Sequence, residues 1–449
     1  MSGLTWVQAP DLLAHEIVAS VGEGKEVDDV RRRWLAAGGQ EDAPRDGLGQ
    51  EGDHALRSLA EDLLRELDRR DPPAALTRLE PDDLAAIEAT RPVPPGHTGL
   101  VGDLDDRLLG AWLGRAAGCL LGKPVEKIPR HGIREILTSQ GRWPLADWFT
   151  AAGLPPDVAA RWPWNRRSAS TSLAENIAGM PEDDDLNFAL LALRVLEAHG
   201  RDFTTDDVAA AWLADLPAGR VFTAERVAYR NLLLGESAPR TATVRNPYRE
   251  WIGAQIRADV YGWVNPGEPA TAAAFAWRDA RLSHVRSGVY GAMCVAAMCA
   301  QAVVSDDVDD VLEAGQSVVP PQSRYAEALS AGIEAARSDR DDEQALDALG
   351  DRFAHLHWVH VLNNAALMAF ALARSEGDFG TAICLAVTGG WDTDSVGATV
   401  GSVCGALAGA HRLPERWVAP LDNRLASSMP GCDGIGFDEL AARTARLLP

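Results

Sequence analysis

The chain has 449 residues, of which 46% are hydrophobic and 24% charged, a composition typical of globular proteins. Lys and Arg number 43 and Asp and Glu number 65, so the formal net charge is -22. We expect no stable nucleic-acid binding, because phosphate backbones are bound through Lys and Arg and repelled by an excess of carboxylates. The six cysteines show no CxxC spacing, which favours reduced core thiols in a cytoplasmic protein.

The first hundred residues are predicted to form a small helical accessory region. The spacing of apolar residues predicts helices at positions 11–21, 27–35 and 55–69. A stretch rich in proline and glycine at 90–102 predicts a linker, so we divide the chain into an accessory region, 1–95, and a catalytic domain, 96–449. The accessory region contains no cluster of ligand-like residues, and we therefore expect it to be dispensable for catalysis.

Helical periodicity dominates from Leu104 onward, and the alternating pattern of β-strands is nearly absent. The sequence therefore predicts an all-α protein. Residues 396–410 are mostly small, which predicts a helix that approaches its neighbour closely. Residues 287–304 are long and almost uncharged but rich in Gly and Ala, and we interpret them as a buried helix rather than a membrane span.

Two acidic clusters precede predicted helices. Glu182–Asp185 stands before a helix at 186–199, and Gly389–Ser395 stands before the helix at 396–410. Acidic residues in the first turn of a helix often only stabilise the helix dipole. For the first cluster taken alone, this structural explanation is as good as a functional one. Asp392 and Asp394 have small neighbours, however, and buried carboxylates need a compensating cation. Carboxylates and hydroxyls without His or Cys favour Mg²⁺ over zinc.

Three separated motifs resemble those of the ADP-ribosylglycohydrolases in order and spacing. They are Gly110–Glu126, Glu182–Asp185 and Gly389–Ser395, and the resemblance extends over about 104–449. It implies a compact all-helical domain whose cleft holds two Mg²⁺ ions, or Mn²⁺ in their place. It also implies hydrolysis of the bond between ADP-ribose, or a related ribosyl nucleotide, and a protein side chain or small acceptor.

Position by position, the resemblance implies metal ligands at Asp183, Asp184, Asp392, Asp394 and Ser395. The first motif of the family usually reads Thr-Asp-Asp-Thr, so Glu182 and Asp185 depart from it. The proton acceptor is expected among the carboxylates Glu126, Asp183 and Asp185. Substrate contacts are expected from Trp391, Asn187 and His284. Structural alternatives are a solvated loop position for Glu126, a helix-cap hydrogen bond for Asn187 and a buried imidazole for His284.

Two other functions stay open at this point. A non-catalytic relative would bind ADP-ribose or metal without turnover, and the departures at the expected ligands favour keeping this alternative. An isoprenoid-type synthase is also all-α and binds Mg²⁺ through Asp-rich helices, but such enzymes lack a Gly-Gly-x-Asp-x-Asp loop. The leaving group also stays open among arginine, serine, a nucleic-acid end and a small metabolite.

Overall fold

The computed structural model of the chain describes residues 4–47, 54–91, 102–165 and 168–449. Most of these residues are helical and none lies in a β-strand, although isolated β-bridges occur, for example between Met180 and Leu425. The prediction of an all-α fold is confirmed.

The helices before residue 92 are α1 (Ala9–Gly22), α2 (Asp28–Ala36), α3 (His54–Leu67), α4 (Ala74–Leu79) and α5 (Leu84–Thr90). The first three agree with the predicted helices to within two residues at each end. Helix α3 buries one face, because its apolar residues recur at intervals of three and four. The predicted linker falls mostly on residues 92–101, which lie outside the described residues. The domain boundary at 95/96 therefore stays a prediction.

The helices after residue 102 are α6 (Leu104–Gly122), α7 (Arg130–Ser139), α8 (Pro156–Arg161), α9 (Ala169–Ser172), α10 (Asp184–His199), α11 (Thr205–Asp215), α12 (Thr223–Leu233), α13 (Arg240–Thr243), α14 (Asp259–Trp263), α15 (Pro269–Ala280), α16 (Arg286–Ala302), α17 (Val308–Ser317), α18 (Arg324–Ala336), α19 (Asp342–Arg352), α20 (Val361–Arg374), α21 (Phe379–Thr388), α22 (Thr393–Ala408), α23 (Glu415–Val418) and α24 (Phe437–Ala445). Short 3₁₀ turns lie at Lys123–Val125, Gly200–Asp202, Ala218–Arg220, Ile252–Arg257, Ala410–Arg412 and Ala419–Leu421. Both α10 and α22 begin two or three residues earlier than predicted, so each takes acidic residues into its first turn.

Helix α16 lies in the centre of the protein, and all of its residues are buried. The interpretation of this long apolar segment as a buried helix is confirmed. Across the described residues, the search for helices that combine membrane-spanning length with sufficient hydrophobicity finds none.

Glycines hold α6 and α22 against each other in antiparallel contact. A Cβ atom at Gly114 would lie 2.1 Å from the carbonyl oxygen of Gly401, and one at Gly118 would lie 1.9 Å from that of Gly397. Only glycine permits so close an approach of two backbones. The hydroxyl of Thr393 also donates to the carbonyl of Gly122 at 2.8 Å. The start of α22 is therefore fixed against the end of α6.

Buried ion pairs join the accessory region to the rest of the chain. The guanidinium of Arg249 contacts Glu16 at 2.6 Å and Glu23 at 2.7 Å, and Arg324 contacts Glu80 at 2.6 Å. Removing one partner of a buried pair is strongly destabilising, because it leaves the other charge in a poorly solvated place. The N-terminal helices are thus part of the packed core of the described structure.

Candidate functional site

A cleft of about 1240 Å³ opens where the end of α6 meets the starts of α10 and α22. The expected metal ligands and proton acceptors all line it: Glu126, Asp183, Asp184, Asp185, Asp392, Asp394 and Ser395. The structure therefore brings together the carboxylates of three motifs that are far apart in the sequence. The glycine contacts between α6 and α22 fix two of these segments directly.

Asp183 begins α10 and is already paired with a cation. Its Oδ1 accepts a hydrogen bond of 2.9 Å from the backbone N–H of Asp185, which caps the helix. Its Oδ2 forms an ion pair with the ammonium of Lys123, which also donates to the carbonyl of Glu182 at 3.3 Å. Burial raises the pKa of Asp183, but Lys123 outweighs burial and holds that pKa below its ordinary value. Asp183 therefore stays ionised.

Asp185 connects α10 with α22 and α6. Its Oδ2 accepts a hydrogen bond of 3.3 Å from the Ser395 hydroxyl, and its Oδ1 lies 3.5 Å from a guanidinium nitrogen of Arg115. That Oδ1 is buried and has no hydrogen bond in the described structure. Burial, together with the charge of Asp183, raises the pKa of Asp185 well above its ordinary value. Arg115 is thus the cation beside this oxygen, and a bound water would supply the hydrogen bond that it lacks.

Asp184, Asp392 and Asp394 face the same cleft without an ion pair in the described residues. Burial and the neighbouring carboxylates raise the pKa values of Asp184 and Asp392 well above the ordinary value. Burial and Glu126 raise the pKa of Asp394 to about 7. The three carboxylates are thus held close together at an electrostatic cost, which a bound cation would remove.

Glu126 follows the 3₁₀ turn Lys123–Val125 and lies on the cleft wall. The amide of Asn165 donates to its Oε2, and the ammonium of Lys127 lies 3.7 Å from its Oε1. Its side chain is 20% exposed, so it is neither deeply buried nor free in solvent. Asn165 fixes the orientation of this carboxylate and was not identified from the sequence.

The three expected substrate contacts occupy three different places. Asn187 lines the cleft, where its amide donates to Glu182 at 3.4 Å and accepts from the Ser427 hydroxyl at 2.6 Å. Trp391 lines an adjacent cavity of about 880 Å³. His284 is fully buried, its Nδ1 2.8 Å from the Ser283 hydroxyl, and it does not line the cleft. Their roles in substrate binding stay predictions.

The donor set of the cleft fits a hard divalent cation. The Cys119 thiol and one carboxylate oxygen each from Asp183 and Asp185 lie within 4.8 Å of one another. Burial raises the pKa of Cys119 well above its ordinary value, so its thiol stays protonated and is a poor ligand. The remaining donors are carboxylate and hydroxyl oxygens, which Mg²⁺ and Mn²⁺ prefer.

The cleft also contains residues that the sequence did not single out. Arg220 pairs with Glu182 at 3.0 Å and is half exposed, and Glu225 lies on the wall beside Gly253. The accessory region contributes Thr5, Trp6 and Asp46. Lys123 stands three residues before Glu126 in the first motif, but nothing in the neighbouring sequence indicates that it pairs with Asp183. No pattern in the first hundred residues marks the cleft-lining residues there.

A family model described as ADP-ribosylglycohydrolase matches residues 101–447. A protein of Archaeoglobus fulgidus, described as an uncharacterized protein, is 26% identical over 331 residues, which make up 72% of this chain and 93% of the relative. A solved structure described as an ADP-ribosylglycohydrolase-related protein complex aligns with a TM-score of 0.48 and 21% identity, over 77% of this chain and 99% of that one. The family match includes all three sequence motifs.

Proposed function

Because the chain belongs to the ADP-ribosylglycohydrolase family, we propose that it is a Mg²⁺- or Mn²⁺-dependent hydrolase. Its substrate would be ADP-ribose, or a related ribosyl nucleotide, in glycosidic linkage to a protein side chain or small acceptor. The observation that carries the proposal is a set of three carboxylates, the buried Asp392 and Asp394 and the partly buried Asp184, that line one cleft without an ion pair in the described residues. Family membership sets aside the isoprenoid-type synthase.

Asp184, Asp392, Asp394 and the Ser395 hydroxyl are the proposed ligands, whereas Asp183 is already paired with Lys123. A bound divalent cation supplies Lewis acidity and lowers the pKa of a coordinated water. The chain itself holds its ligands in place through backbone contacts. The N–H of Asp392 donates to Asn364 at 3.2 Å, and Asp394 accepts from the N–H of Ser395 at 3.1 Å. Such preorganisation limits the reorganisation needed during the reaction.

Glu126 is the proposed proton acceptor. Asp183 is held ionised by Lys123, and Asp185 is engaged by Ser395 and lies near Arg115, so neither is free to exchange a proton with a water in the cleft. Glu126 lines the cleft and is oriented by Asn165. It would take one proton from water as the water oxygen bonds to the anomeric carbon. The glycosidic bond breaks and its electron pair goes to the leaving group. The proton taken up by Glu126 then passes to the leaving group, which restores the carboxylate.

Substrate recognition is proposed to use Arg220 and Asn187. Arg220 is a half-exposed guanidinium at the cleft, suited to bidentate contact with a diphosphate. Asn187 offers an amide to a ribose hydroxyl. Trp391 and His284 lie outside this cleft, and any effect they have on substrate would come from the adjacent cavity or through Glu225. A cytoplasmic location also stays a prediction.

The test is turnover of a defined substrate panel by the full chain. The panel contains peptides ADP-ribosylated on arginine or serine, ADP-ribosylated nucleic-acid ends and free nucleosides, each assayed with Mg²⁺, with Mn²⁺ and with a chelator. Free ADP-ribose, or free ribose for the nucleosides, is measured by chromatography. We expect one substrate class to be hydrolysed and the chelator to abolish the activity.

Glu126→Gln separates catalysis from binding. The amide keeps the shape of the side chain but cannot accept the proton, so the rate should fall by about 10²–10⁴-fold. The matched control is Glu327→Gln, a surface glutamate that is 70% exposed and pairs with Arg352. Activity that survives the chelator would contradict metal dependence. ADP-ribose binding without turnover of any substrate would favour the non-catalytic alternative.

A further inference from the structure

The ammonium of Lys123 occupies a position among the carboxylates that is suited to a cation. Its neighbours are a carboxylate oxygen of Asp183 and the backbone carbonyl of Glu182. Oxygen donors of these two kinds are also the ordinary ligands of hard metal ions. Lys123 and Asp183 are both less than 10% exposed at their side chains. The ammonium is therefore a permanent part of the acidic centre and cannot swing freely into solvent.

The charges of the centre divide into two groups. Asp183, Asp185 and Glu182 each have a cation nearby: Lys123, Arg115 at 3.5 Å and Arg220 at 3.0 Å, respectively. Asp184, Asp392 and Asp394 form no ion pair in the described residues, and the charge of Lys123 acts on Asp184 and Asp394 from beyond ion-pair distance. One divalent ion offsets most of the charge of the second group. A second ion at Asp183 would have to displace Lys123 or lie beside a buried positive charge, and like charges repel strongly there.

The second, independent observation is the orientation of Asp185. Its Oδ1 has no hydrogen bond but lies 3.5 Å from the guanidinium of Arg115, whereas its Oδ2 accepts from Ser395. The cations Arg115 and Lys123 therefore stand on the α6 side of the centre, and no ion pair of the described residues reaches the carboxylates at the start of α22. The demand for a cation is thus concentrated at the start of α22, away from the pair that Lys123 forms with Asp183.

We propose that the centre binds a single divalent cation, and that Lys123 replaces a second one by neutralising Asp183. This inference rests on the proposed metal dependence and departs from the two ions that the family resemblance implies. Lys123 is a positioning residue, since it acts through Asp183 and the helix start that Asp183 caps. The ion is held by Asp184, Asp392, Asp394 and Ser395.

The experiment measures the number of Mn²⁺ ions bound per chain, without substrate. Isothermal titration gives the stoichiometry for the full chain, and electron paramagnetic resonance distinguishes an isolated Mn²⁺ from a coupled pair. We expect one isolated ion in the wild type. Lys123→Met removes the charge but keeps the length of the side chain, and we expect it to bind two ions that couple. The matched control is Lys127→Met, an exposed lysine on the same loop, which should still bind one.

Mn²⁺ binding by a second variant, Asp183→Asn, tests the proposal independently of whether Lys123→Met folds. If Lys123 neutralises Asp183, the ion does not need that carboxylate, and Asp183→Asn should bind one Mn²⁺ with affinity within about threefold of wild type. Loss of Mn²⁺ binding in Asp183→Asn would overturn the proposal. So would two ions in the wild type, no ion, or a single ion in folded Lys123→Met. Two ions with normal turnover would leave the proposed function intact, whereas one ion without turnover would overturn only that function.

Discussion

Gly118→Ala tests the helix contact that positions the candidate site. A Cβ atom at this position would lie 1.9 Å from the carbonyl oxygen of Gly397 and 2.6 Å from its carbonyl carbon. Both are backbone atoms of α22, so no side-chain rotation can relieve the overlap. The two helices would have to separate by roughly 1.5 Å to restore ordinary contact distances. The start of α22, with Asp392 and Asp394, would move with them.

The expected cost follows from three terms. Overpacking of a close contact typically costs about 1–3 kcal/mol. Weakening the hydrogen bond from Thr393 to Gly122 costs about 1 kcal/mol more. The higher helix propensity of alanine relative to glycine offsets about 1 kcal/mol of this loss. We therefore expect Gly118→Ala to lower the free energy of unfolding by about 2 kcal/mol.

Urea unfolding followed by circular dichroism measures this change, and Gly350→Ala is the matched control. Gly350 lies inside α19, and nothing is within 4 Å of where its Cβ would stand. This substitution should raise the free energy of unfolding by up to about 1 kcal/mol. The two substitutions are therefore expected to have opposite signs. A Gly118→Ala protein as stable as Gly350→Ala would refute the close packing of α6 against α22.

Two further predictions concern the accessory region. Burial lowers the pKa of His15 to about 4 from 6.5; because the unfolded chain takes up the proton first, the stability this histidine contributes is present above about pH 6.5 and is lost as the pH falls towards about 4. Between about pH 7 and pH 5, the free energy of unfolding measured in urea titrations should fall by about 2 kcal/mol more for wild type than for His15→Phe. Equal losses would contradict the lowered pKa of His15. Glu23→Gln leaves the buried Arg249 and Arg286 short of a counter-charge, so unfolding free energy should fall by about 3–5 kcal/mol. The control Glu66→Gln, whose carboxylate lies partly exposed at the surface beside Arg33 and Arg70, should cost no more than about 1 kcal/mol. A similar cost for both substitutions would show that the buried network is not stabilising.

The acidic clusters were predictable because their signals are local. Runs of carboxylates at predicted helix starts, one of them after two glycines, are visible in a few consecutive residues. The small residues at 396–410 likewise predicted a close helix contact, and α22 makes it with α6. The helix starts themselves were misplaced by two or three residues, since Asp183 caps α10 through its own side chain. Cap geometry is not encoded by apolar periodicity.

The remaining features depend on contacts between distant parts of the chain. Lys123 meets Asp183 only because α6 and α10 converge. Trp6 reaches the cleft through an aromatic cluster with Tyr248 and Trp251. Trp391 has a positive φ of 63°, and Gly390 before it has a positive φ of 78°. This turn directs the indole of Trp391 to the adjacent cavity. None of these placements follows from the residue types near them in the sequence.

The charge of the cleft links the metal to substrate binding under the proposed function. An ADP-ribosyl group carries a diphosphate, and a wall of carboxylates in a chain of net charge -22 repels it. Lys123 offsets the charge of Asp183, and Arg220 offsets that of Glu182. The carboxylates of Asp184, Asp392 and Asp394 form no such ion pair in the described residues. A divalent cation at these three would remove most of that repulsion before it contributes to the reaction. Under the proposed function, the ion would therefore help anionic substrates to enter the cleft as well as to be hydrolysed, and a metal-free chain should bind them weakly.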